Sequence, residues 1–105
     1  MLLIALLLQS APASAALPPM PEMLRAARPY QQCLRQTQQD TPDLSGDAVL
    51  DQCADQRAQA IAMVDPVLAT KPGYASADRR AQALDAYFDG LAALTMRAFA
   101  QRPQS

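Results

Sequence analysis

The chain has no histidine, no tryptophan, three glycines and two cysteines among its 105 residues. Without histidine it lacks the side chain whose ordinary pKa lies nearest neutrality, and with it the commonest general base and transition-metal ligand. Gly46, Gly73 and Gly90 are scattered, so no glycine-rich loop is available to cradle a phosphate. Two cysteines that bond to each other leave no thiolate nucleophile. Charge of one sign is also missing. Nine Lys and Arg against ten Asp and Glu give a net charge of -1, which predicts neither a nucleic-acid partner nor a polybasic membrane-surface protein. An Asp-only mechanism would need a concave pocket, which short alanine-rich helices seldom make. These absences predict a protein that is not an enzyme and holds no cofactor and no metal.

A long apolar run is present only at the start. Met1 to Leu8 is unbroken but far short of the roughly 20 residues that cross a hydrocarbon layer. The small-residue segment Gln9-Ser10-Ala11-Pro12-Ala13-Ser14-Ala15 follows it. That is the layout of a cleavable secretory signal over residues 1–15, with Ala13 and Ala15 as the small side chains before the cut. Cleavage after Ala16 is the next choice. No Lys or Arg precedes the run, which leaves room for a start further upstream. Export predicts a periplasmic or secreted location and an oxidising compartment, where two cysteines pair. With no later apolar span and no cysteine at the junction, the mature chain is expected to be soluble and to keep no stable membrane anchor.

The rest of the chain reads as helix. Residues 16–21 hold three prolines, at Pro18, Pro19 and Pro21, which favour an extended, flexible arm. From Glu22, Met23, Ala26, Ala27, Tyr30, Cys33, Leu34 and Thr37 recur at helical spacing to about Gln39. Pro29 lies inside this pattern, whose continuity favours a kink over two helices. Asp40 to Gly46 is rich in turn residues, with Ser45 as N-cap of a second helix. That helix puts Val49, Leu50, Cys53, Ala60, Ile61 and Val64 on one face and Asp47, Asp51 and Asp55 on the other. Asp65-Pro66 should interrupt it, as a kink or as the cap and first position of a short turn through Thr70. After the turn signal Lys71-Pro72-Gly73, Ser76 caps a third helix that carries Leu84, Tyr87, Phe88, Leu91, Leu94, Thr95, Ala98 and Phe99. This arc covers nearly half the circumference, more than one neighbour can bury. The prediction is an all-α domain over residues 22–100: a small three-helix bundle in which a disulfide-stapled antiparallel hairpin receives the C-terminal helix in its groove. Residues 101–105 are expected to fray.

Cys33 and Cys53 each fall roughly 10 Å from the turn at about 1.5 Å per residue, so they meet at one level of the hairpin. Closing a loop of about twenty residues should stabilise the fold by about 3 kcal/mol. Arg57 does not fit a plain core, because its angular position lies among Leu50, Cys53, Ile61 and Val64. The hairpin register brings Tyr30 opposite it. Three readings follow: a guanidinium that snorkels to water over an apolar stem, one that stacks on or hydrogen-bonds to Tyr30, and an anion site.

Asp47, Asp51 and Asp55 form one acidic stripe and Asp85 with Asp89 another; both read as solvated surface, since a cation site would recruit more oxygens. Arg25, Arg28 and Arg35 form a basic stripe on the outward face of the first helix. No family is recognised: Leu94-Thr95-Met96-Arg97-Ala98 matches the first two letters of the Leu-Thr-x-x-Gln motif of helical periplasmic stress chaperones and has Ala98 in place of the glutamine. The functional expectation is an exported non-catalytic helical protein acting through contacts with another envelope protein or with itself. The alternative is a small binding module for an anionic or amphipathic ligand that uses Arg57 with Tyr30, Tyr87 and Phe88.

Overall fold

The computed structural model describes residues 17–101; residues 1–15, expected to be a signal segment, and the tail beyond Gln101 lie outside them. Four helices make up the fold: α1 (Pro21–Asp40), α2 (Gly46–Gln52), α3 (Ala54–Leu68) and α4 (Ala77–Ala100). The chain is all-helical, and the Cys33–Cys53 bond joins α1 to the α2–α3 junction.

Local chemistry explains where the helices start. Pro21 occupies the first turn of α1, where its missing N–H has no partner to lose. The Ser45 hydroxyl accepts from the Ala48 amide at 3.2 Å, and the Ser76 hydroxyl accepts from the Arg79 amide at 3.4 Å. Both serines satisfy an orphan donor of a first turn, with Asp47 and Asp78 adding favourable charge there. Gly73 closes the α3–α4 turn at φ 85°, a left-handed conformation that glycine adopts without a Cβ clash.

Interruptions fall elsewhere than the sequence suggests. Pro29 and Pro66 both sit inside unbroken helices. Each removes one helical hydrogen bond, but Pro29 and Pro66 are exposed, and so are Arg25 and Ala62 four residues earlier. The freed carbonyls therefore belong to residues on the water-facing side, where hydration replaces the lost bond. The reading of Asp65-Pro66 as the cap and first position of a separate turn is corrected accordingly, since the helix continues to Leu68. The second helix instead divides at Cys53, with φ -104° and ψ 14°. The bridge holds the two Cα atoms 5.8 Å apart, a separation that ordinary helix packing supplies, with axes about 8–10 Å apart and Cα atoms about 2.3 Å off each axis. The expected three helices thus become four.

The core lies between α1, α3 and α4. Tyr30, Leu34, Val49, Val64, Leu68, Leu84 and Phe88 are its large buried side chains. α1 is central and packs on α3, α4 and α2, while α4 packs on both α1 and α3. That is the expected hairpin with the C-terminal helix in its groove. Met20 keeps the extended backbone of the arm in which the sequence placed it, but its side chain is not free in solvent. It is buried with Met23, because a methionine just before the first turn reaches back over the apolar end of the bundle.

Candidate functional site

Arg57 leaves α3 toward α4 and meets the two aspartates that the sequence assigned to solvated surface. Its Nη1 donates to Asp89 Oδ1 at 2.8 Å; its Nη2 donates to Asp85 Oδ1 and to the Asp85 carbonyl, each at 3.3 Å. The buried Tyr30 side chain is among the groups that favour the charged form of Arg57. Burial by itself lowers the Arg57 pKa, but the hydrogen bonds to Asp89, Tyr30 and Asp85 outweigh it and raise the value above that of a free guanidinium. Asp85 and Asp89 are four residues apart on α4 and so present both carboxylates to one incoming cation.

The four residues of the ligand-binding alternative are close together, but as interior. Phe88 is the middle of an aromatic row, edge-on to Tyr30 at 5.8 Å between centroids and to Tyr87 at 5.2 Å. Tyr30 is 1% exposed and Phe88 0%, so neither can touch a ligand without the core opening. Tyr87 is half-buried at the edge, and Arg57 already has its anions. The arrangement fixes α3 against α4 beside the α1 core.

A second arginine does comparable work and was not legible as a site. Arg80 Nε donates to Asp65 Oδ1 at 2.8 Å, and its Nη1 donates to the carbonyls of Tyr74 and Ala75 at 2.9 and 2.8 Å. It closes the α3–α4 connection, with Arg79 lying over the Tyr74 ring at 5.4 Å. A signal existed: Arg80 stands four residues before Leu84 and eight before Phe88, on the row that becomes core.

The disulfide is screened on one side by Thr37, whose hydroxyl lies 3.6 Å from Cys53 Sγ and 3.9 Å from Cys33 Sγ. A bridged sulfur carries no hydrogen, so the hydroxyl is the donor. Cys53 is fully buried and Cys33 partly so. Among the described residues no group of three or more His, Cys, Asp or Glu side chains is placed to hold a metal ion.

The largest departure from the expected burial is on α4. Leu94 was expected in the apolar arc facing the hairpin, yet it is 63% exposed, and Ala98 is exposed with it. Both sit on a groove of about 550 Å³ between α1 and α4, lined by Gln31, Arg35, Leu91, Leu94, Thr95, Ala98 and Phe99. The arc is wider than α1 and α3 together can cover, so its outer edge remains at the surface. One turn back, Tyr87 and Leu24 share a second depression with Leu17 to Pro21 and Met23. Comparison with protein-family models, curated proteins and solved structures finds no match for this chain.

Proposed function

We propose that this is an exported, non-catalytic helical protein of the cell envelope or the exterior that acts by contact with another polypeptide. The observation carrying the reading is the uncovered apolar edge of the α1–α4 groove. Leu94, one of the large apolar side chains left at the surface, is 63% exposed on the groove itself, and Leu24, 72% exposed, lines the neighbouring depression beside Tyr87. Large side chains exposed together beside a concavity mark contact surfaces more often than singly scattered ones do. The disulfide is compatible with export, as is the lack of any helix, among the described residues, that is long and apolar enough to cross a membrane.

The test is in the native cell. N-terminal sequencing of the chain recovered outside the cytoplasm is expected to begin at Ala16, with Leu17 the second choice. A photo-crosslinking residue at position 94 is expected to give a discrete adduct, and one at Asp78 none. A chain retained with Met1 and two alkylatable thiols would remove the export half of the reading. Absence of any adduct from position 94 would remove the contact half.

A further inference from the structure

Charge around the α1–α4 groove is of one sign. Its lining includes Arg35 and no carboxylate. Arg28 stands two turns before Arg35 on the same side of α1, and Arg97 follows Leu94 by one turn on α4; all three arginines are exposed. Among the described residues none of the three is in an ion pair, whereas Arg57 and Arg80 are both paired. The α4 carboxylates Asp85 and Asp89 are turned away from the groove and held by Arg57. An apolar trough thus runs between cationic rims that have no counter-charge of their own.

Resting on the contact reading above, we propose that this groove receives an amphipathic helix from another protein, with an apolar stripe flanked by carboxylates. Concavity favours a helix, because the floor at Leu91, Thr95 and Phe99 lies below the rims, where the ridge of a helix reaches and a flat bilayer surface does not. Charge disfavours a second copy of this chain, since a two-fold pairing of grooves would set arginine rims against each other. Leu91 to Phe99 spans about 12 Å of helix, so a partner helix of about twelve residues covers it with about half a turn to spare at each end.

The probe is a fluorescein-labelled helical peptide of about twelve residues, with leucines at i, i+3, i+4 and i+7 and glutamates on both flanks. Its counterpart carries lysine in place of each glutamate. Titrated by anisotropy against the purified disulfide-bonded chain, the glutamate peptide is expected to bind at least about tenfold more tightly. Arg35→Glu should reverse that preference, and Leu94→Asp should abolish binding of both peptides. Both substituted residues are exposed, so circular dichroism and thermal melting should match the parent chain. Equal affinity for the two peptides, or none for either, overturns the proposal. So does tighter binding to phosphatidylglycerol vesicles than to the peptide, or a dimer by light scattering that Leu94→Asp dissolves. If the in-cell adduct from position 94 persists while the peptide arms fail, the acidic helix is lost and the contact reading stands. Loss of the adduct as well removes both.

Discussion

On the side of α4 turned into the bundle, Leu84, Phe88 and Ala92 are buried and Asp85 and Asp89 are held by Arg57. Around the helix from them, Leu91 and Tyr87 are only partly covered, Leu94 is exposed, and the nearby arginines have no ion partners. Both sides offer apolar side chains at helical spacing, and both have charges at their margins. They differ in neighbours: α1 and α3 reach the first side, and the second has α1 alone. Apolar character therefore does not separate core from contact surface in this helix. The position of the next element does.

Four substitutions test that contrast, beginning with the largest effect. Phe88→Ala removes the middle ring of the aromatic row and should cost about 3–5 kcal/mol, much of the roughly 5–10 kcal/mol available to a domain of this size. Urea unfolding that shows a loss below about 1 kcal/mol would mean the closed side is not packed as described. Replacing both cysteines, Cys33→Ser with Cys53→Ser, should cost about 3 kcal/mol by restoring loop freedom to the unfolded chain. The same denaturation assay on oxidised and reduced parent should reproduce the difference.

Arg57→Met should cost less, about 1–2 kcal/mol, because both aspartates are well exposed and the pairs are weak; loss of the interaction with the buried Tyr30 adds the remainder. Raising salt toward 1 M shortens the screening length to about 3 Å and should narrow the gap between variant and parent. A gap that did not respond to salt would assign the loss to Tyr30 and to packing. On the open side, Leu94→Asp should change stability by no more than about 0.5 kcal/mol. A large loss there would place Leu94 in the core and erase the contrast.

Much of the fold was legible because it rests on local rules. The caps at Ser45 and Ser76, the buried row of α1 and the level of the cysteine pair all follow from period and spacing. Two prolines misled at different strengths. Pro29 could be read through, since the apolar pattern continued across it. Pro66 read as a kink or as the start of a short turn, and the solvent exposure that lets the helix continue through it depends on which way α3 faces. The break at Cys53 had no breaker residue to announce it. The candidate site was legible by halves. Angular position marked Arg57 and the hairpin register supplied Tyr30, but Asp85 and Asp89 come from 28 and 32 residues away on α4. No periodicity within α3 points that far.

What the sequence determined by itself is the class of structure: helices, their caps, the faces that must be covered and the pairing of its two cysteines. These depend on interactions within a few residues, or on a single hairpin whose register its turn sets. The tertiary structure alone decided which carboxylates neutralise Arg57, where the second helix divides, and which part of the α4 apolar arc stays open beside unpaired arginines. Each depends on the distance and orientation between helices far apart in the chain, and these are settled when the core closes around Tyr30 and Phe88.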